Sequence, residues 1–140
     1  MVILGIDYGY ARTGVAACDA LEVLASPVEV IRETYMPHVA KRISEIASER
    51  NASLVVVGLP LNMDGSFGEH AEASKMLAEI LKTEYGIDVE LFDERLTTVE
   101  AYGLLNEAGT FGKKRRDEVD MVAATIILND FLSARKNGEK

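Results

Sequence analysis

The chain has 140 residues, 48% hydrophobic and 27% charged, so it is long enough for one globular domain with a buried core. Its net charge of −8, from 23 acidic and 15 basic residues, argues against a protein that grips nucleic acid through general positive charge. The single cysteine, Cys18, excludes an intrachain disulfide framework and favours a reducing, cytoplasmic setting. No apolar run approaches the roughly 20 residues of a membrane span, so no membrane association is expected.

The hydrophobic pattern predicts three strands followed by alternating helices and strands. Short links between the first three strands predict an antiparallel meander, and the later alternation predicts parallel neighbours. We therefore expect an α/β fold with a mixed five-stranded sheet flanked by helices. One domain would cover residues 1–134, followed by a polar tail at 135–140. The predicted strands are 2–7, 13–19, 24–32, 53–57 and 87–92, and the predicted helices begin at 37, 69, 98 and 117, the last three ending near 85, 108 and 134.

Acidic residues close two of the predicted strands. Asp7 ends the first strand and enters a glycine turn, and Asp93 and Glu94 end the fifth strand. Because strand residues alternate between the two faces of a sheet, Asp93 and Glu94 point to opposite sides, and the pattern does not decide which of them joins Asp7. Either acid could instead form a surface ion pair with Arg95. Carboxylates that are brought together repel one another, and a divalent cation is the usual remedy.

The last predicted helix begins with two acids on one face. Asp117 and Asp120 are three positions apart, and the residues three, four and seven positions beyond Asp120 are apolar. This spacing predicts that Asp120 lies over the seam where the helix packs on the sheet. The helix dipole also favours acids in the first turn, which explains Asp117 well as a cap residue and accounts for part of the case for Asp120.

Four consecutive basic residues precede these acids in a predicted loop. In a strongly acidic protein such a run is usually a solvated surface segment. Its position directly before Asp117 and Asp120 also suits contacts with nucleic-acid phosphates, which position a strand without reading its sequence. The four residues are Lys113, Lys114, Arg115 and Arg116.

Oxygen ligands dominate the candidate metal site. The two histidines, His38 and His70, sit at the starts of other helices and do not accompany the acids. With one cysteine in the chain, a zinc site is disfavoured, whereas a set of carboxylates suits Mg²⁺ or Mn²⁺. The acids therefore predict a metal-dependent site that cleaves phosphodiester bonds.

Four motifs, in order along nearly the whole chain, resemble those of the YqgF (RuvX) family. They are GIDYG at 5–9 with Arg12 and Gly14, VGLPLNMDG at 57–65, DERLTT at 93–98 and VDMVAA at 119–124. The resemblance implies an RNase H-like fold, similar to that of the Holliday junction resolvase RuvC. It also implies a nuclease, described for the family as acting on pre-16S ribosomal RNA and, earlier, on Holliday junctions.

The same resemblance assigns site residues. It implies Asp7, Glu94 and Asp120 as the catalytic, metal-holding acids, and so chooses Glu94 over Asp93 by analogy. Asp117 matches an additional acid of the related resolvases and is expected to be auxiliary. Asn62 belongs to a motif loop near the substrate. The expected substrate-binding groups are completed by Arg12, Arg95, Lys113, Lys114, Arg115 and Arg116.

The resulting hypothesis is a two-metal nuclease that processes the 5′ end of pre-16S ribosomal RNA, with ribosomal particles as possible partners. A Holliday junction resolvase acting on branched DNA is the first alternative. A glycine-flanked acid at a strand end also resembles the first phosphate loop of actin/hexokinase-like nucleotide-binding proteins. A non-catalytic ribosome-binding module is the remaining alternative. The sequence leaves open RNA against DNA, and monomer against homodimer.

Overall fold

A computed structural model describes residues 1–96 and 113–136, and within the last helix it describes side chains from residue 122 onward. The predicted helix at 98–108 lies outside the described residues. Five strands, three helices and one short 3₁₀ turn account for most of the described chain. They are β1 (Val2–Asp7), β2 (Arg12–Cys18), β3 (Ala25–Arg32), α1 (Met36–Glu49), β4 (Ala52–Leu59), α2 (Glu69–Tyr85), β5 (Val89–Asp93), the 3₁₀ turn (Glu94–Leu96) and α3 (Lys113–Lys136).

The strands form one mixed sheet in the order β3-β2-β1-β4-β5. The pairs β1–β2 and β2–β3 are antiparallel, and the pairs β1–β4 and β4–β5 are parallel. This arrangement confirms the predicted meander followed by parallel strands. Strands β1, β4 and β5 run in the same direction, so their carboxyl ends meet at one edge of the sheet. Open α/β sheets bind ligands at this edge.

Helices cover both faces of the sheet, and the two faces bury separate apolar clusters. Leu4 and Ile6 of β1 contact the cluster that includes the buried residues of α1 and α2. Ile3 of the same strand packs with Ala124, Leu128 and other α3 residues on the opposite face. The strand alternation thus assigns even positions of β1 to the α1/α2 face and odd positions, including Asp7, to the α3 face. None of the described helices has the length and apolar character needed to cross a bilayer.

The start of the last helix differs from the sequence prediction. Helix α3 already includes residues 113–116, which were predicted to be a loop, so Asp117 is not its N-terminal cap. The physical reason is that lysine and arginine are good helix formers, and no glycine or proline separates Lys113 from Asp117.

Candidate functional site

Asp7 ends β1 on the α3 face of the sheet, between two glycines. The β1–β2 register pairs Asp7 with Gly14. The β1–β4 register pairs Ile6 with Val57, so Gly58 is the next neighbour along on the other side. Because neither flanking residue has a side chain of its own, groups from other elements can approach the Asp7 carboxylate closely.

Glu94 lies over Gly58 on the same face. A Cβ atom added to Gly58 would be 2.7 Å from Oε2 of Glu94 and 2.8 Å from Cδ1 of Ile127 in α3. Phe92, two residues before Glu94, packs against the α3 cluster, with its ring edge-on to Phe131 at 5.9 Å. The structure thus places Glu94, and not Asp93, over the strand next to β1, on the face that carries Asp7. Sequence alternation left this choice between the two acids open.

Burial and the neighbouring Asp93 raise the pKa of Glu94 to about 7, from an ordinary value of 4.5. Removal from water disfavours the ionised carboxylate, and a second negative charge nearby adds to the cost. A divalent cation would reverse both effects, because it replaces the lost hydration of the carboxylate with a direct ligand bond. The donor chemistry of Glu94 and Asp7 therefore fits Mg²⁺ or Mn²⁺.

Asp93 points away from this site and binds Arg95. Nη2 of Arg95 donates to Oδ2 of Asp93 at 2.7 Å, Nε donates to both carboxylate oxygens at 3.1 Å, and the Arg95 backbone N–H donates to Oδ1 at 2.9 Å. These bonds hold the pKa of Asp93 below its usual value. The predicted ion pair with Arg95 is therefore confirmed, with Asp93 as the partner.

Arg95 also ties the loop after β4 to the end of β5. Its Nη1 donates to the carbonyl of Met63 at 3.3 Å. Within that loop, Nδ2 of Asn62 donates to Oγ of Ser66 at 2.9 Å, and Oδ1 of Asp64 accepts from Oγ of Ser66 at 2.6 Å. Asn62 thus shapes a loop at the same edge as the acids.

Asp120 is brought to this edge by the backbone of α3. A Cβ atom on Gly5 would be 3.0 Å from the carbonyl oxygen of Ala124, which fixes where α3 crosses β1. Farther along, Arg135 lies 3.4 Å from Glu22 in the β2–β3 turn, so α3 runs antiparallel to β1. Asp120 is one turn before Ala124, about 6 Å along the axis, and Asp7 is two residues, about 7 Å, beyond Gly5.

The helix position of Asp120 is therefore level with Asp7. Asp117 lies nearly one turn nearer the start of α3. Among the side chains that the structure describes, no three His, Cys, Asp or Glu groups are gathered closely enough to hold a metal ion. A three-carboxylate site needs the Asp120 side chain, which is outside that set, so its ligand role stays a prediction.

Two arginines occupy the same edge on the next strands. Arg12 begins β2 and pairs in register with Arg32 at the end of β3. Arg12 is two residues from Gly14, so the alternation puts both arginines on the α3 face with Asp7. Positive charge on two neighbouring strands at this edge is suited to contacts with phosphates. The sequence prediction included Arg12 and missed Arg32, because the β2–β3 register is not visible in the sequence.

The Gly58→Ala substitution is expected to destabilise the fold by about 1–3 kcal/mol, because the new methyl group would overlap Glu94 and Ile127. Urea unfolding of both proteins would measure this. In a Glu94→Ala background the same substitution should cost less, since one of the two overlapping groups is gone. Equal costs in both backgrounds would contradict the position given to Glu94.

The sequence is similar to one family of proteins over almost its whole length. The pattern of the family RuvX, described as Holliday junction resolvase, matches residues 1–134. A protein of Myxococcus xanthus (strain DK1622), named as a candidate pre-16S rRNA nuclease, is 42% identical over 136 residues, or 97% of this chain and 90% of that protein. A protein of Endomicrobium trichonymphae with the same name is 39% identical over 136 residues, or 96% of this chain and 97% of that one.

Solved structures share the fold at low sequence identity. RuvC of T. thermophilus, solved with a Holliday junction substrate, has a TM-score of 0.64 and 16% identity, covering 100% of this chain and 99% of that one. The yeast mitochondrial Holliday junction resolvase Ydc2 has a TM-score of 0.53 and 11% identity, covering 96% of this chain and 80% of that one. This likeness confirms the expected RuvC-like, RNase H-like fold.

Proposed function

Because this chain belongs to the RuvX family, we propose that it is a metal-dependent nuclease that hydrolyses phosphodiester bonds of structured nucleic acid. The observation that carries the proposal is the Glu94 carboxylate, which lies over Gly58 beside the strand that ends in Asp7. A carboxylate kept partly out of water, with its pKa raised to about 7, is typical of a functional site rather than of an exposed surface.

Each of the three predicted acids is supported by a different structural observation. Asp7 and Glu94 would hold one or two Mg²⁺ or Mn²⁺ ions together with Asp120, whose helix position is level with Asp7. When bound, the metal supplies the charge that activates a water molecule and stabilises the leaving oxygen. Glu94 must give up its proton to bind an ion, so metal affinity should fall as the pH drops below about 7.

The positive groups of this edge would bind the phosphates of the substrate. Arg12 and Arg32 extend the site across β2 and β3, and Arg95 lies beyond Asp93 on the other side. The basic positions 113–116 are on the part of α3 that leads to Asp120. Such local contacts explain how a protein of net charge −8 can hold an anionic polymer. Asp117 stays an auxiliary candidate, because it is near Asp120 on the helix.

Precursor 16S ribosomal RNA is the substrate that the curated relatives favour, since their names refer to it. Ribosomal particles would then be the partner, and the cytoplasm the location. Branched DNA is the second candidate, because the matching family is described as a Holliday junction resolvase. A two-fold junction would require two copies of the chain, whereas an RNA end would require one.

The test compares the two substrates directly. Purified protein is incubated with pre-16S ribosomal RNA and with a four-way DNA junction, with Mg²⁺, with Mn²⁺ and with chelator. We expect RNA cleavage that requires metal and disappears on chelation. Preferential cleavage of the four-way junction would favour branched DNA as the substrate. Cleavage of neither nucleic acid in the presence of metal would contradict the nuclease proposal.

A further inference from the structure

An aromatic pair lies at the turn that follows Asp7. The rings of Tyr10 and His70 are stacked, with centroids 5.0 Å apart and planes inclined by 28°. Tyr10 follows Asp7 by three residues, so their Cα atoms are separated by at most about 11 Å. The pair therefore lies at the same edge of the sheet as Asp7, on the side covered by α2, where a nucleic-acid strand that crosses this edge would pass it.

The orientation of His70 is set by the backbone of the same turn. Its Nε2 donates to the carbonyl oxygen of Tyr8 at 2.7 Å, since a carbonyl can only accept. The Tyr8 ring is buried and meets His70 edge-on at 5.9 Å and Tyr10 edge-on at 6.0 Å. His70 is in the first turn of α2, a rigid element that packs on the sheet. The ring of Tyr10 is thus backed by a buried ring and by a side chain of a regular helix.

The pair lies at the protein surface. Tyr10 is 52% exposed, although it is held by ring contacts with two neighbours. Ordering an exposed side chain costs conformational entropy that little buried area repays. An exposed aromatic face at the edge that carries the acids is the arrangement with which proteins bind unpaired nucleobases, since every base has a face that can stack.

We propose that Tyr10, backed by His70, stacks an unpaired base of the nucleic acid whose backbone is held at Asp7 and Glu94. This inference rests on the proposed nuclease function and adds a substrate class to it: strands with at least one unstacked base next to the cleaved bond. The stacking is independent of base identity, and it selects single-stranded segments, bulges and ends over continuous duplex. Tyr10 is a positioning residue in this role.

The test uses two ligands of equal charge. The dissociation constants of a short oligoadenylate and of an abasic ribose-phosphate oligomer of the same length are measured by fluorescence anisotropy, with Ca²⁺ replacing Mg²⁺. We expect the normal protein to bind the oligoadenylate about tenfold more tightly than the abasic oligomer, from about 1.4 kcal/mol of stacking. The Tyr10→Ala variant should lose this preference and keep its affinity for the abasic oligomer, and Tyr10→Phe should retain the preference.

A matched control is available in Tyr35, which is 57% exposed and has its ring 4.7 Å from that of His38. Tyr35→Ala should leave the base preference unchanged, and thermal unfolding should show that the Tyr10 variants remain folded. A Tyr10→Ala variant with the normal base preference would overturn the inference, as would a normal protein with none. Metal-dependent cleavage of RNA by these proteins, compared with Asp7→Asn, tests the nuclease function separately, because it can persist when the stacking result is negative.

Discussion

The Asp7→Asn variant is expected to lose metal-dependent cleavage almost completely while keeping its fold. Asparagine has nearly the same shape as aspartate but no charge, so it cannot neutralise the charge of a divalent cation. Charge stabilisation by a catalytic metal contributes several kcal/mol, and each 1.36 kcal/mol changes the rate tenfold. We therefore expect a decrease in the cleavage rate of at least about a thousandfold, measured under single-turnover conditions with saturating Mg²⁺. Thermal unfolding should be nearly unchanged, because asparagine fills the same space as aspartate beside Gly14 and Gly58.

Asp88→Asn is the matched control for this substitution. Asp88 is exposed, immediately precedes β5, and lies at the opposite edge of the sheet from Asp7. Both variants change the net charge by one, so a difference between them reports position and not charge. Cleavage by Asp7→Asn at the normal rate, or an equal loss in Asp88→Asn, would remove Asp7 from the proposed site.

The Glu94→Gln variant is expected to be more stable than the normal protein at alkaline pH, yet inactive. The folded protein raises the pKa of Glu94 from 4.5 to about 7, so between these values the folded state binds more protons than the unfolded state. The stability of the normal protein therefore falls as the pH rises through this window, and it has lost up to about 3 kcal/mol at higher pH. Glutamine carries no charge, so the variant avoids this loss, and it also lacks the carboxylate that would hold the metal.

Urea unfolding across this pH range measures the difference between the two proteins without metal. The difference should be small below about pH 4.5 and should favour Glu94→Gln progressively up to about pH 7. Added Mg²⁺ should restore stability to the normal protein only, because only its folded state would bind the ion well. Glu90→Gln serves as the control, since Glu90 is an exposed residue four positions earlier in β5. A pH-independent difference for Glu94→Gln would contradict the burial assigned to this carboxylate.

Most of the fold could be predicted from the sequence, because its signals are local. The run of β-branched residues that ends at Asp7 predicts β1 within its observed bounds, and helical spacing with a stop at Gly86 predicts α2. The parallel and antiparallel pairings followed from the lengths of the links between elements. The predicted start of α3 was wrong, because a run of cations was interpreted as a solvated loop although its residues favour a helix.

The sequence by itself determined that acids close β1 and β5, that Asp93 and Glu94 point to opposite faces, and that one of them can pair with Arg95. Only the tertiary structure decided which acid lies on the same face of the sheet as Asp7, because that depends on which side of β5 is covered by α3. Contacts of Gly58 with Glu94 and Ile127 join segments far apart in the chain, and packing alone sets them. The same holds for Arg32 beside Arg12 and for His70 behind Tyr10, since strand register and helix packing bring these residues together.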